Sequence, residues 1–194
     1  MTIAEPFEMF RDWYASAQAC EAIVDASAMA LATADLSGRP AVRMVLLKHF
    51  SEAGFVFYTN LQSPKGRQLK ENPRAELCFH WADLKRQVRI HGSVVAVTSY
   101  EADEYFKTRP RLSQLGAWAS EQSQPMPHRF ALEAAVAGAA VSFSLATVSR
   151  PPFWSGFRVI PEEMEFWTER PFRHHERLFF TLKGETWEKQ WLFP

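Results

Sequence analysis

The sequence predicts an α+β fold in which antiparallel strands form a β-barrel or closed sheet, with helices flanking the sheet and inserted between its strands. Short apolar runs recur along the chain and are separated by turn signals such as Ser37-Gly38. Stretches with helical periodicity lie between these runs, and that combination indicates an α+β chain. At 194 residues the chain is long enough for one full core but short for two, so we expect a single domain over 1–194.

Local patterns place the elements along the chain. Thr98-Ser99-Tyr100-Glu101 fits a capping box, which predicts a helix that begins there, and Pro110 ends it. The predicted helices are Pro6–Ile23 within an N-terminal region 1–24, Ser63–Asn72, Thr98 to about Thr108, Ser113–Ser120 and His128–Ser144. The predicted strands are Met29–Ala34, Ala41–Lys48, Gly54–Asn60, Ala75–Trp81, Arg86–Val97 and aromatic-rich strands from Phe153 onward, in a C-terminal segment 150–194.

The net charge is zero, with 22 basic and 22 acidic residues, so no global field attracts nucleic acid or an anionic membrane. Any anion must therefore be bound by a local cluster. Cys20 and Cys78 form no CxxC motif, so neither a disulfide framework nor a zinc site is expected. The N-terminus lacks signal-peptide features, and no apolar run is long enough to span a bilayer. We expect a cytoplasmic enzyme with no nucleic-acid or membrane partner.

The most informative segment is Arg173-His174-His175-Glu176-Arg177. If it is extended, Arg173, His175 and Arg177 share one face, because alternate residues of a strand point the same way. Two guanidiniums beside an imidazole suit a planar, anionic ligand. The same alternation argues against a metal site, because the adjacent histidines point apart. The alternative is a solvated edge strand that carries charges.

The strand from Arg43 to Lys48 has a cation at each end and looks buried. Partly buried cations usually need anionic partners, and no acidic residue is near in sequence, so bound anions are one interpretation. The other interpretation is that both side chains reach out into water from the ends of the strand.

Two further groups of polar residues suit phosphate. Tyr105 and Arg109 share a helix face, and Ser113 follows the Pro110 break, so a guanidinium and two hydroxyls could form a phosphate cradle, although such a Tyr–Arg pair is often only packing. A second group, ahead of the predicted helix Ser63–Asn72, consists of Tyr58, Thr59, Asn60, Ser63 and Lys65. No Walker or Rossmann glycine pattern is present, so side chains and strand edges would hold any phosphate-bearing cofactor.

In combination, these segments resemble the pyridoxamine 5′-phosphate oxidase family, and the matches run in order from about Phe7 to Pro194. The segments that carry the resemblance are Arg43–Lys48, Gly54–Asn60, Arg86–Arg89, Tyr105–Gln114, Gly116–Ser123 and Glu165–Arg177. The resemblance implies an FMN-binding split β-barrel and a homodimer with FMN held at the subunit interface. It also implies an FMN-dependent oxidase, a pyridoxal 5′-phosphate synthase, that oxidises pyridoxamine or pyridoxine 5′-phosphate with O2 and gives H2O2.

The resemblance assigns the site position by position. The FMN contacts it implies are Arg43, Met44, Val45, Leu46, Leu47, Lys48, Tyr58, Thr59, Lys65, Gln87, Gln122, Ser123, Trp167 and Arg177. The substrate phosphate would contact Lys48, Tyr105, Arg109 and Ser113. Arg173 and His175 would be catalytic: Arg173 covers the pyridine ring and pairs with its oxygens, and His175 hydrogen-bonds the substrate and assists proton movement.

One departure from the family pattern concerns the cofactor. Pro64 stands where the family usually has a second basic residue beside Lys65, and proline donates no hydrogen bond. We therefore expect weaker retention of FMN. Two other functions stay open: a flavin oxidase of the phenazine-pathway type that acts on another aromatic metabolite, and a non-catalytic protein that binds flavin or pyridoxal phosphate.

Overall fold

The computed structural model describes residues 5–194, so residues 1–4 of the predicted N-terminal region lie outside the described residues. The helices are α1 (Glu5–Ala19), α2 (Pro64–Glu71), α3 (Ser99–Thr108), α4 (Arg111–Ala119) and α5 (Ala131–Phe143). The strands are β1 (Ala28–Ala34), β2 (Pro40–Leu46), β3 (His49–Ser51), β4 (Gly54–Asn60), β5 (Arg74–Trp81), β6 (Arg86–Ala96), β7 (Trp154–Thr168), β8 (Glu176–Lys183) and β9 (Thr186–Leu192). Short 3-10 turns cover Ala82–Leu84 and Pro171–Arg173.

All the strand pairs in the sheet are antiparallel, in the order β2-β1-β5-β6-β7-β4-β3, and off this path β8 pairs with β7 and β9 pairs with β8. The first and last strands of this order are consecutive in the chain and are separated only by Leu47 and Lys48. The Lys48 amide donates to the Val56 carbonyl at 2.8 Å, which ties this connection to β4. The sheet therefore curls back on itself, and the predicted α+β fold with a barrel-like antiparallel sheet is confirmed.

Strand β7 pairs with three other strands of the sheet. Along one edge it pairs with β6 over nearly its whole length. Along the other edge, its first half pairs with β4 and its second half with β8. The register with β6 shifts between His91 and Gly92, where Glu162 has no partner residue on β6 and forms a bulge. A Cβ on Gly92 would lie 1.9 Å from the Ile160 carbonyl oxygen, so this close approach requires glycine.

Helix α1 closes the aromatic core of the sheet. Phe10 is fully buried, and its ring lies 4.9 Å from those of Phe50 and Phe55 and 5.1 Å from that of Phe79, all near edge-to-face. Aromatic pairs in this geometry contribute about 0.5–1.5 kcal/mol each beyond the burial of their area. A second cluster joins α3, α4 and α5 to the start of β7 through Phe106, Leu115, Val148 and Trp154.

Most elements predicted from local patterns are present, with ends shifted by a few residues. The capping box at the start of α3 is complete: Glu101 N donates to Thr98 Oγ1 at 3.1 Å, and Thr98 N donates to a Glu101 carboxylate oxygen at 3.0 Å. Cys20 and Cys78 are free thiols, as expected. The short strand β3 was not predicted. No helix within residues 5–194 is long and apolar enough to cross a membrane.

Candidate active site

A cavity of about 720 Å³ lies where β2, β4 and the start of β7 face helices α3 and α4. Its lining mixes aromatic rings, hydroxyls, amides and three cationic side chains. The lining residues are Met44, Val45, Leu46, Lys48, Tyr58, Thr59, Asn60, Lys65, Tyr105, Thr108, Arg109, Pro110, Ser113, Gly116, Ala117, Ser120, Gln122 and Trp154. Two residue groups that are far apart in the sequence, 44–65 and 105–122, therefore share one cavity.

The substrate-phosphate cradle expected from the sequence lies on one wall of this cavity. Tyr105 is in the last turn of α3, Arg109 caps the C-terminus of that helix, and Ser113 lies in α4. The Arg109 Nη1 atom is buried and has no hydrogen-bond partner in the part of the chain that the structure describes, residues 5–194. Burial lowers the pKa of Arg109 and raises the pKa of Tyr105. A desolvated guanidinium with an unpaired nitrogen is a group that an anion would stabilise.

A second cationic group lies at the start of α2. Ser63 caps this helix through its side chain, which accepts from Gly66 N at 3.3 Å. Lys65 Nζ donates to Gln122 Oε1 at 3.0 Å, and so ties α2 to the loop that follows α4. Burial lowers the pKa of Lys65, and the positive charge of Arg43 lowers it further. Arg43 Nη1 donates to the Thr33 hydroxyl at 2.6 Å, and burial lowers the pKa of Arg43 as well.

None of these cations is neutralised inside the described chain. Within residues 5–194, no carboxylate lies within salt-bridge distance of Arg43, Lys48, Lys65 or Arg109. Elsewhere the chain pairs its arginines readily, for example Arg150 with Asp103 at 2.6 Å. The positive charge around the cavity is therefore available to a bound anion.

The remaining predicted residues form a separate group at the far end of β7. Gln87 on β6, Trp167 on β7 and Arg177 on β8 are direct neighbours in the strand register. The buried Glu165 carboxylate accepts from Arg177 Nε at 2.8 Å and from Arg177 Nη2 at 3.0 Å, which orients that guanidinium. The His175 ring lies 4.8 Å from the Trp167 ring, between centroids. The cavity instead adjoins the opposite end of β7 at Trp154, roughly 43 Å from Trp167 when measured along an extended strand.

The segment Arg173–Arg177 is not extended throughout, so the condition under which Arg173, His175 and Arg177 would share one strand face is not met. Pro171–Arg173 forms a 3-10 turn in which Phe172 and Arg173 have φ values of +58° and +62°, and β8 begins only at Glu176. Proline favours a turn here, and the chain must reverse direction between β7 and β8. Strand alternation therefore does not set the face on which Arg173 and His175 lie.

The expectation that the strand ending at Lys48 is buried is also wrong. Strand β2 is an edge strand, and its apolar side chains Val42 and Met44 are 70% and 62% exposed. Leu47, by contrast, is in the aromatic core and does not line the cavity. Arg43 lies beside the cavity rather than in its lining, and Ser123 lines a neighbouring, smaller cavity.

Two side chains that support the site were not singled out from the sequence. Trp154 lines the cavity, and its ring lies 4.8 Å from the guanidinium carbon of Arg109. Glu165 holds Arg177, and Arg89 Nη1 also donates to it at 3.3 Å. The signal available for Glu165 was its position between the apolar residues Met164 and Phe166, because a buried carboxylate requires cationic partners.

Comparison with known proteins agrees with this geometry. The family profile described as pyridoxamine 5′-phosphate oxidase matches residues 16–150, and the profile described as pyridoxine 5′-phosphate oxidase C-terminal dimerisation region matches residues 154–194. A pyridoxine/pyridoxamine 5′-phosphate oxidase of Maricaulis maris is 57% identical over 192 residues, which are 98% of this chain and 86% of the relative. The enzyme of the same name from Bartonella henselae is 52% identical, over 100% of this chain and 95% of the relative.

Solved structures extend the comparison to the fold. PhzG from Burkholderia lata, in complex with tetrahydrophenazine-1-carboxylic acid, superposes with a TM-score of 0.91 and is 31% identical, covering 97% of this chain and 92% of that one. An FMN-binding protein from Nostoc punctiforme, related to pyridoxamine 5′-phosphate oxidase, has a TM-score of 0.76 at 19% identity, covering 95% and 97% of the two chains.

The curled antiparallel sheet defines the fold class, the split β-barrel, which this chain shares with the FMN-binding protein from Nostoc punctiforme. Within that class, the full-length identity and the two matched profiles are decisive. The chain belongs to the pyridoxamine 5′-phosphate oxidase family of oxidoreductases.

Proposed function

We propose that this enzyme oxidises pyridoxamine 5′-phosphate, pyridoxine 5′-phosphate or both to pyridoxal 5′-phosphate, with O2 as acceptor, H2O2 as product and FMN as cofactor. The observation that carries the proposal is the pair of cationic groups at one cavity, Arg109 beside Tyr105 and Lys65 beside Arg43, which have no carboxylate partner among the described residues 5–194. Two phosphorylated ligands, a cofactor and a substrate, would satisfy both groups. The names of the relatives support the same reaction.

The residues around Lys65 fit a phosphate-bearing cofactor. Lys65 and Arg43 supply the charge, and the capped N-terminus of α2 directs backbone amides toward the same region. Thr59 and Gln122 add hydrogen-bonding groups beside Lys65, since Thr59 Oγ1 lies 3.3 Å from Gln122 Oε1. When bound, FMN would supply the redox chemistry, which is the acceptance of a hydride from C4′ of the substrate and the passage of its two electrons to O2 to give H2O2. With the amine substrate, water would then hydrolyse the resulting imine to the aldehyde and release ammonia.

We further propose that one complete site needs two copies of the chain. Gln87, Trp167 and Arg177 lie at the end of β7 opposite the one that adjoins the cavity, and none of them lines it within one copy. A partner copy could supply them, together with Arg173 and His175. The dimerisation region matched over 154–194 and the exposed apolar side chains on β2 support a homodimer.

The proposed roles within the site follow from the charges and hydrogen bonds. Tyr105, Arg109, Ser113 and Lys48 would hold the substrate phosphate. The Arg170 backbone amide donates to Nδ1 of His175 at 3.2 Å, so in the neutral ring Nε2 carries the proton and can donate it to the substrate. Arg173 would cover the pyridine ring and pair with its oxygens.

The test is the visible spectrum of the FMN-loaded protein during anaerobic addition of pyridoxamine 5′-phosphate. The flavin absorbance should bleach and then return with peroxide when air is admitted, whereas pyridoxamine without phosphate should react far more weakly. Arg173→Ala and His175→Ala should each slow the bleaching. If both variants oxidise the substrate as fast as the unaltered protein, the assigned roles are wrong.

The similarity to PhzG favours one second candidate, an oxidase that acts on a phenazine precursor. The phosphate cradle argues against it, because a substrate without phosphate leaves Arg109 unpaired, and the identity to the vitamin phosphate oxidases is higher. Bleaching by a tetrahydrophenazine carboxylic acid but not by pyridoxamine 5′-phosphate would select this candidate. Binding of either ligand without bleaching or peroxide would instead indicate a carrier that is not an enzyme.

A further inference from the structure

The cavity wall contains three aromatic rings whose planes are nearly parallel. Tyr58 on β4 lies 4.0 Å from Tyr105 on α3, between ring centroids, at an interplanar angle of 13°. Trp154, the first residue of β7, lies 5.3 Å from Tyr58 at 4° and 6.2 Å from Tyr105 at 9°. The stack joins helix α3 to two strands of the sheet, so it fixes the position of the helix end that carries Arg109.

The Arg109 side chain is held by aromatic faces rather than by hydrogen bonds. Its guanidinium carbon lies 4.8 Å from the centroid of the Trp154 ring and 5.6 Å from that of Phe106. Within residues 5–194, no carboxylate pairs with it, and its Nη1 has no hydrogen-bond partner. Packing is therefore what sets the direction of this guanidinium, and the indole is the stronger of the two cation–π partners.

Trp154 is itself firmly anchored. Its side chain is 7% exposed, and Phe106 packs against it edge-to-face at 5.1 Å. Its carbonyl oxygen accepts from Arg150 Nη1 at 2.6 Å, and Arg150 Nε pairs with Asp103 of α3 at 2.6 Å. The indole can therefore serve as a fixed platform, because both its backbone and its ring are tied to α3.

We propose that Trp154 is a positioning residue for phosphate recognition, which orients the Arg109 guanidinium toward the anion without contacting the anion itself. This inference rests on the proposed function, in which Arg109 binds the substrate phosphate. It assigns a role to a residue outside the expected set of cofactor and substrate contacts. A correctly directed guanidinium lowers the cost of ordering it when phosphate binds, so the effect is on affinity.

The test measures dissociation constants of the FMN-loaded protein for pyridoxal 5′-phosphate, for pyridoxal and for inorganic phosphate. Trp154→Leu should weaken pyridoxal 5′-phosphate binding by roughly 3- to 30-fold, the range expected for a desolvated cation–π contact. Pyridoxal affinity and FMN affinity should change by less than about twofold. Trp154→Phe, which keeps an aromatic face, should recover most of the loss and also guards against a leucine variant that fails to fold. In turnover, KM for pyridoxamine 5′-phosphate should rise while kcat is retained.

The matched control is Trp13→Leu, which removes a similar contact elsewhere, since the Arg86 guanidinium lies 4.6 Å from the Trp13 ring. It should leave phosphate affinity unchanged. A double-mutant cycle with Arg109→Met is decisive: in that background Trp154→Leu should cause no further loss. If Trp154→Leu weakens phosphate binding equally with and without Arg109, the indole only packs the cavity. The same conclusion follows if Trp154→Leu weakens the binding of pyridoxal and of pyridoxal 5′-phosphate equally.

The same experiment separates this proposal from the proposed function. If the unaltered protein binds inorganic phosphate but not pyridoxal 5′-phosphate, the proposed substrate is wrong, and the cycle measured with inorganic phosphate still decides the role of Trp154. If the unaltered protein binds neither ligand, both proposals are overturned.

Discussion

Replacing Glu165 by glutamine should destabilise the protein by about 2–3 kcal/mol. The carboxylate is 5% exposed and accepts three charged hydrogen bonds, at 2.8 and 3.0 Å from Arg177 and at 3.3 Å from Arg89. Breaking a buried pair by removing one partner costs roughly 3–5 kcal/mol. The expected loss is smaller because the Arg177 and Arg89 side chains are 27% and 44% exposed, so water partly hydrates the released charges.

The assay is urea unfolding of the FMN-free protein, followed by tryptophan fluorescence at one fixed protein concentration, because dimerisation would make stability depend on concentration. The control is Glu162→Gln on the same strand, which breaks an exposed pair with Arg74 at 2.7 Å and should cost less than about 1 kcal/mol. If the free energy of unfolding falls by the same small amount in both variants, Glu165 is not the buried centre of an arginine network. FMN affinity should fall only in Glu165→Gln, because Arg177 is a proposed cofactor contact.

Three further predictions concern the bulge, pH and the cofactor. Gly92→Ala should cost at least about 3 kcal/mol or abolish folding, because its Cβ would meet a carbonyl oxygen at 1.9 Å, whereas Gly138→Ala, in open space on α5, should stabilise by about 0.5–1 kcal/mol in the same urea assay. A hydrogen bond from the Thr98 amide lowers the pKa of Glu101, so this contribution to stability is present above the ordinary glutamate value of about 4.3 and is lost as pH falls through the lowered pKa. The stability difference between the unaltered protein and Glu101→Gln should therefore shrink on acidification, and a difference constant with pH would contradict this. Pro64→Arg should tighten FMN binding in a fluorescence titration, and unchanged affinity would show that no phosphate contact is missing.

Local elements were predictable because their causes are local. The capping box of α3 and the proline that follows this helix act within one turn of chain, and both are present as expected. The short strand β3 and the exposure of β2 depend on which strands are neighbours in the curled sheet, which no local pattern encodes. The turn at Phe172 and Arg173 shows the same limit, because it follows from the pairing of β7 with β8.

In the candidate site, too, some residues could be predicted from the sequence and others depend on contacts between distant elements. The likeness to a family predicted Lys65, Tyr105, Arg109 and Gln122, and these residues do share one cavity. Trp154 was missed because its role depends on Arg109, which lies on another element. The assignment of individual residues to cofactor or substrate stays a prediction. The expectation that the chain forms a single domain also stays a prediction.

Strand β7 pairs with β4 through its first half and with β8 through its second half, and this restricts how its length can change. One of its halves abuts the cavity, and the other carries Glu165 and Trp167. Because side chains alternate between the faces of a strand, inserting or deleting one residue between the halves would turn every side chain on one side of the change to the opposite face. The bulge at Glu162, which faces the step between His91 and Gly92, already absorbs one such extra residue. The bulge therefore determines which side chains of the two halves of β7 point to the same face of the sheet. We expect the chain to vary in length in its loops rather than in this strand.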